Sequence, residues 1–579
     1  MIGVIILKYK NIIFILCDSL TFINEEHIYN NFDLIKEYKE NILFFNNIFS
    51  QGPYTEAAIQ SLLSGNNTLD NGDYFQNIKY IDKNLFYLMK QNNYNVFQTI
   101  WNYANTESFF SNTDSYVYME FINLNYFLEF RLDYLKDIYL DGKINKYHIK
   151  QTKEILEDFF ITFDRFIKDY YNNKFSYQVL ESKYIFDEDF IKKYNDNILK
   201  VKKEYFNAKE DYILGLFKGS KYIDKFENPK IRTSKEYIKV KNQLKNICIK
   251  RSTNQIIKTL LKSPKNKCLQ NIVKNVIKEK KMKRLHKLKL ELMYSLNYTG
   301  YPIYSKPSFG QINLLFDKMI DDNKNFNNFI FLHSMDNHFP FNFISYDTNS
   351  TKFIQDEFRV IKEYLKCRNI NSTNVFYDLA MRYVNNKIKD LIKSLESKQM
   401  LDNTLIVITA DHGCSYLGDI YREKKVSNFY DETYKTPLII YNPNIKGKII
   451  ENYGSSIDII PTIFDIAKLD IGDKKGESLL KNKRDFIFFE YLGAGCPDSS
   501  LKKKHISIRS EELKVNYIFN KNDKFILDNI DSIFDLKNDK YELKNLKNKN
   551  FDYENDKVKY LIKNLSERVE ELMKNEFYN

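Results

Sequence analysis

The chain has 579 residues, 43% of them hydrophobic, which excludes wholesale disorder and is far more than one small domain needs. Its six cysteines are widely spaced with no CxxC pair, which argues against a disulfide framework and for free thiols in a reducing compartment. The formal charge is +12, yet Lys218 to Leu290 alone carries 23 Lys and Arg against 4 Asp and Glu, so the rest of the chain is net acidic.

The opening run "MIGVIILKYKNIIFILCDSL" is apolar but broken by Lys8 and Lys10. No charge precedes it and no small-residue cleavage site follows. It reads as one or two strands rather than a signal peptide or membrane span, and no other run has spanning length. The expected location is therefore the cytoplasm. The second half of the run, "NIIFILCDSL", is a continuous β-branched and aromatic stretch ending at Asp18, as a buried parallel strand would.

Next comes "SQGPYTEAAIQSLLSG", a Gly-Pro turn leading into a helical run that begins at Thr55. Threonine at a helix start is ordinarily a cap that accepts a backbone N–H. The other reading is a nucleophile held at the positive end of a helix. From about Asn123 to Tyr301 the chain is Lys- and Tyr-rich with helical periodicity, and it contains the basic segment. Then "NNFIFLHSMDNH" forms a strand ending at His333, Asp336 and His338. The stretch "VFYDLAMRYVNNKIKDLIKSLESKQM" is an amphipathic helix, and "NTLIVITADHG" a strand ending at Asp411 and His412. Strand, helix, strand is the unit of a doubly wound sheet, whose ligands sit beyond the carboxyl ends of the strands. "TPLIIYNP" and "RDFIFFEY" read as further strands. After about Asp485, "HISIRS", "VNYIFN" and a charged terminal helix form a smaller unit.

The expected fold is therefore α/β: a doubly wound, mostly parallel sheet flanked by helices, with a helical insertion and a small C-terminal α+β module. Residues 1–122 and 302–484 form the two parts of the α/β domain, 123–301 the insertion and 485–579 the C-terminal module. Two carboxylates (Asp18, Asp411), an imidazole (His412) and a hydroxyl (Thr55) on strand-end loops suit one divalent cation with oxygen and nitrogen ligands. Mn²⁺ or Zn²⁺ is favoured over Ca²⁺ or Mg²⁺ by the imidazole.

Taken together, these phrases resemble the sulfatase branch of the alkaline phosphatase superfamily. "NIIFILCDSL" matches that family's first metal strand, and "TEAAIQSLLSG" the length and ending of its nucleophile helix. "SMDNHFPF" matches a "MDPHxPF" phrase, and "DNTLIVITADHG" a "DNTLVVVTSDHG" strand. "KVSNFYDETYKTPLII", "SIDIIPT" and "IFDLKNDKYELKNL" match later family phrases in the same order. The resemblance implies Asp18, Thr55, Asp411 and His412 as metal ligands and Thr55 as nucleophile. It implies that His338 and Lys425 contact the anionic group, one of them protonating the leaving oxygen. His333 and Asp336 are expected beside the substrate, with a hydrogen-bonded core histidine as the other reading of His333.

The departures narrow the reading. Sulfatases convert Cys or Ser at the nucleophile position to formylglycine, with Pro and Arg following. Here Thr55 stands with Ala57 and Ile59, and Thr cannot undergo that conversion. A second Asp after Asp18 is replaced by Ser19, and "VFQTIWNYAN" replaces a Lys-His substrate phrase. Thr nucleophiles belong to relatives such as the phosphoethanolamine and lipoteichoic acid transferases. The expected activity is thus metal-dependent hydrolysis or transfer of a phosphate or sulfate ester through Thr55, on a substrate such as a glycan or lipid head group. Sulfuric ester hydrolysis of a glycan without formylglycine and an inactive binding protein on this scaffold are the alternatives. The basic segment 218–290 reads as a solvated helix face, or as a dock for an anionic polymer or membrane surface, with no specific nucleic acid expected.

Overall fold

A computed structural model describes residues 9–71, 83–99, 112–118, 144–174, 177–178, 188–218, 309–338, 372–414, 430–472, 476–491, 503–520, 524–547 and 551–574, with a few single positions between 132 and 142. Lys425, Cys496, the "IWNYAN" stretch and the basic segment beyond Lys218 lie outside the described residues.

The described strands of the first sheet are β1 (Asn11–Cys17), β2 (Ile42–Phe49), β3 (Asn95–Thr99), β4 (Ser115–Tyr118), β5 (Tyr177–Gln178), β6 (Asn328–Ser334), β7 (Thr404–Thr409), β8 (Lys435–Tyr441), β9 (Lys448–Ile450) and β10 (Gly454–Ser455). A second sheet holds β11 (Ile487–Tyr491), β12 (Lys503–Arg509), β13 (Leu513–Asn520) and β14 (Ile530–Asp535). The first runs in the order β10-β2-β8-β7-β1-β6-β3-β4-β5, with β9 also on β2. β8 is antiparallel to both neighbours, β2 and β7, and every other pairing is parallel. β1, β2, β6 and β7 therefore all point the same way, and the loops after them open on one edge of the sheet.

Every residue of β1 is buried, because both faces of the sheet are covered. Ile13, Ile15 and Cys17 face one core, under the helices Glu25–Asn31, Phe309–Asp322 and Ser372–Ser397. Ile12, Phe14 and Leu16 face the other, under the helices Thr55–Ser64, Leu85–Gln91 and Ile459–Ala467. Each such side chain contributes about 1.5–3 kcal/mol relative to exposure, so β1 is pinned in register from both sides. The helix Ser372–Ser397 presents Tyr377, Ala380, Met381, Val384, Ile388, Leu391 and Leu395 to the first core, the three-to-four spacing of an amphipathic helix.

The helices Lys146–Tyr171, Glu188–Asn207 and Lys209–Lys218 pack on one another around Phe160, Phe163, Tyr194 and Tyr205. The two-residue strand β5, between the first two of them in the chain, joins the edge of the first sheet through β4. The second sheet is wholly antiparallel, and the helix Asp556–Lys574 covers it through Leu561, Leu565, Val569 and Leu572. It meets the first sheet at Tyr434 and Phe489, whose rings stack 4.0 Å apart. Beside them Asp431 takes ion pairs from Arg509 at 2.7 Å and Lys514 at 3.0 Å, and Lys514 also pairs with Glu542 at 2.6 Å.

Candidate active site

Asp18 follows β1, Asp336 and His338 follow β6, and Asp411 and His412 follow β7, three adjacent parallel strands. Thr55 follows β2 by way of the Ser50–Tyr54 turn, on the same edge of the sheet. Topology alone thus brings four loops, spread between Asp18 and His412 in the chain, to one place.

Thr55 is the first residue of its helix, and Tyr54 is the cap residue. The Thr55 hydroxyl makes no cap. It donates to Asp18 Oδ2 at 3.0 Å and lies 3.2 Å from His412 Nε2. Its helix ends where Gly65 takes the left-handed conformation (φ 73°), which a side chain would resist. The helix points its N-terminus, with its unpaired N–H groups and positive dipole end, at the cluster, which favours an anion there.

Asp18, Asp411 and His412 are buried, and one ligating atom from each lies within 4.8 Å of the others. Asp411 Oδ1 accepts from the backbone N–H of His412 at 2.8 Å and of Ser19 at 3.0 Å. Its other oxygen, Oδ2, is buried and accepts no hydrogen bond. His412 Nδ1 lies 2.6 Å from the Gly413 carbonyl, which only accepts, so Nδ1 carries the proton and Nε2 presents its lone pair. Gly413 is required: a Cβ there would run into the Glu432 carbonyl oxygen and the Thr21 hydroxyl. Its N–H donates to Thr433 O at 2.9 Å, which fixes the loop carrying His412.

The electrostatics are those of a site built for positive charge. Burial pushes the Asp411 carboxyl up, and the negative charge of Asp18 beside it pushes it further. Burial also opposes ionisation of Asp18, but His338 and His333 beside it hold its carboxyl far below the usual range. A buried carboxylate oxygen with no donor, a second carboxylate and a lone-pair nitrogen around one point fit a divalent cation, with the Thr55 hydroxyl as a further donor.

The other expected residues divide. His333 is buried against Asp18, with Nε2 3.4 Å from Oδ2, the same oxygen that takes the Thr55 hydroxyl, so it borders the cluster itself. His338 is half-buried and close enough for its charge to act on Asp18. Asp336 has Oδ2 engaged by the Phe309 N–H at 2.9 Å and the Ser334 hydroxyl at 2.6 Å, anchoring the start of the helix Phe309–Asp322. Lys425 lies outside the described residues. Glu490 accepts from Arg568 and from the Leu69 N–H, which ties the C-terminal helix to the first sheet's loops. Residue-by-residue reading had no sign of Tyr377. Its hydroxyl contacts the loop after Asp18 from 358 positions away, and in sequence it is one more member of a helical stripe.

A doubly wound sheet with this donor set at its strand ends defines the class, and the comparisons place the chain within it. The chain belongs to the Sulfatase family, whose model matches residues 10–208 and 270–469. The model for the C-terminal region of N-sulphoglucosamine sulphohydrolase matches residues 422–575. Curated relatives include a choline-sulfatase of Rhizobium meliloti, 31% identical over 18% of this chain and 20% of that protein. An N-acetylglucosamine-6-O-sulfatase of Bacteroides thetaiotaomicron is 30% identical over 28% of this chain and 30% of that protein. Lipoteichoic acid synthase 1 of Bacillus subtilis is 24% identical over 24% of this chain and 20% of that protein. The matched part thus spans less than a third of the length of these relatives. Among solved structures, a 2-O GAG sulfatase aligns over 98% of this chain and 93% of its own, with a TM-score of 0.49 and 12% identity.

Proposed function

We propose that the protein cleaves an anionic ester, a phosphate or sulfate monoester, through a covalent intermediate on Thr55 at a single divalent-cation site. The observation that carries this reading is the Thr55 hydroxyl, which makes no helix cap and sits 3.0 Å from Asp18 Oδ2 and 3.2 Å from His412 Nε2. Asp18, Asp411, His412 and Thr55 would hold the ion, and Mn²⁺ or Zn²⁺ suits an imidazole among oxygens better than Ca²⁺ or Mg²⁺. Bound there, the ion supplies positive charge that favours the ionised Thr55 hydroxyl and polarises an ester oxygen.

The chain's own groups supply the rest. The helix N-terminus at Thr55 orients the anionic group. The Thr55 proton passes to its acceptor, Asp18 Oδ2, and on to solvent before attack. Thr55 Oγ forms the new bond to phosphorus or sulfur in line with the departing alcohol. His338 or Lys425 gives that alcohol a proton as its bond breaks, and water or a second alcohol then releases the group from Thr55. Charge spreads over the equatorial oxygens in such transfers, so fixed positive groups do most of the stabilising.

A second reading, hydrolysis of a sulfuric ester on a glycan, is favoured by the relatives named as sulfatases, among them the N-acetylglucosamine-6-O-sulfatase. The phosphoryl reading is favoured by Thr55 itself and by the likeness to lipoteichoic acid synthase 1. No helix among the described residues is long and apolar enough to cross a membrane. The basic segment 218–290 is read as a solvated face or as a dock for an anionic polymer or membrane surface, and salt-dependent retention on heparin or anionic vesicles separates the two. Metal analysis of the native protein, with phosphate and sulfate monoester panels on wild type and Thr55→Ala, tests the reading. Turnover of one ester class, dependent on both the ion and Thr55, supports it. Equal turnover by Thr55→Ala overturns it.

A further inference from the structure

Ser19 is the residue between Asp18 and the chain's turn away from the site, and its backbone is left-handed (φ 60°), which a non-glycine residue adopts only when its surroundings demand it. Three contacts make that demand. Its hydroxyl donates to Asp18 Oδ1 at 2.8 Å, and its N–H donates to Asp411 Oδ1 at 3.0 Å. Its carbonyl accepts from the Tyr377 hydroxyl at 2.8 Å. Tyr377, buried on the helix Ser372–Ser397, accepts in turn from the Thr21 N–H at 2.8 Å, so the turn is held at both ends from the opposite side.

The consequence is a division of labour within each carboxylate. Both Oδ1 atoms are occupied by Ser19, and Asp411 Oδ1 also by the His412 N–H. Both Oδ2 atoms face the cluster: that of Asp18 takes the Thr55 hydroxyl, and that of Asp411 is buried with no donor. We infer that Ser19 is a positioning residue whose hydroxyl limits Asp18 to one ligating oxygen, as the backbone N–H groups of Ser19 and His412 limit Asp411, so that the site prefers Mn²⁺ or Zn²⁺ to Ca²⁺. Tyr377 holds Ser19 in place. Ca²⁺ takes six to eight oxygens and often uses a carboxylate through both, whereas a compact set of two carboxylate oxygens, one imidazole and one hydroxyl suits a smaller ion. This rests on the metal-centre reading proposed above.

The test is the affinity of the full, chelator-stripped chain for MnCl₂, ZnCl₂ and CaCl₂ by calorimetric titration, independent of turnover. Ser19→Ala removes only the hydroxyl. Ser19→Gly removes it and also relieves the left-handed backbone, so it is expected to be the less strained of the two variants. Both are expected to weaken Mn²⁺ and Zn²⁺ about 10–100-fold, the usual cost of losing a group that orients a ligand, with Ca²⁺ unchanged or tighter. Tyr377→Phe is expected to shift the Mn²⁺/Ca²⁺ ratio in the same direction by a smaller factor. An unchanged ratio in Ser19→Gly, with wild type still binding Mn²⁺, overturns the role of Ser19 alone. A wild type that binds none of the three ions overturns the metal centre and this inference with it.

Discussion

Thr55 Oγ1 lies 3.0 Å from Asp18 Oδ2, although 37 positions separate the two residues and they follow different strands. A threonine that merely capped its helix would spend its oxygen on a nearby backbone N–H instead. Thr55→Ala should therefore cost little stability, about 1 kcal/mol for one hydrogen bond. The same variant should lose at least about 10³-fold in kcat. Thr55→Ser, which keeps the oxygen, should retain measurable turnover. Thermal unfolding and steady-state kinetics on the three proteins separate the two roles.

Two buried carboxylates facing one point repel each other until an ion arrives. Asp411→Asn keeps the shape of the side chain and removes one charge. In EDTA it should unfold at a higher temperature than wild type, by about 1–3 kcal/mol of relieved repulsion. In saturating Mn²⁺ the order should reverse. The pH dependence has a definite sign. Because the Asp411 carboxyl is raised above its ordinary 3.8, the folded metal-free protein holds that proton longer than the unfolded chain does. Stability is then lost as pH rises from 3.8 through the folded value, and the Asn variant should lack that component. Melting curves in EDTA that place the Asn variant below wild type at every pH would contradict this.

Asp431 shows the opposite sign. Burial opposes its ionisation, but Arg509 and Lys514 hold its carboxyl far below its ordinary 3.8. Its contribution is fully present above 3.8 and is lost as pH falls through the lower folded value. Asp431→Asn should flatten that part of the acid unfolding curve. Arg509→Met, which removes one of the two cations paired with buried Asp431 and leaves Lys514, should cost up to about 3–5 kcal/mol. The Asp431–Thr433 turn also receives the Gly413 N–H, so the same variants should weaken activity by loosening the His412 loop.

If His338 protonates the leaving oxygen, its loss should matter most where that oxygen is a poor leaving group. His338→Ala is expected to lose at least about 10²-fold on alkyl esters and much less on nitrophenyl esters. Equal losses on both would assign leaving-group protonation to Lys425 and leave His338 as a charge near Asp18.

The three strands that carry the site were legible because each is a continuous apolar run that stops at a polar pair, as a strand buried on both faces must. The helix after Thr55 was legible from its turn and its Gly65 end. β2 was not, because Asn46 and Asn47 interrupt its apolar pattern where its register with β8 shifts. Nor was the reversed direction of β8, since "TPLIIY" encodes burial and says nothing of polarity. Of the candidate site, side-chain types and spacing pointed to Asp18, Thr55, Asp411 and His412. The clamp of Ser19 and Tyr377 was invisible because it depends on one backbone torsion and on a contact across most of the chain.

The most direct measurement is acid quenching of the protein during turnover of its best ester, followed by peptide mass spectrometry. The expected result is a phosphoryl or sulfo group on the peptide carrying Thr55, absent from Thr55→Ala. The group found on a different side chain, or full turnover with every peptide unmodified, would contradict a threonine nucleophile.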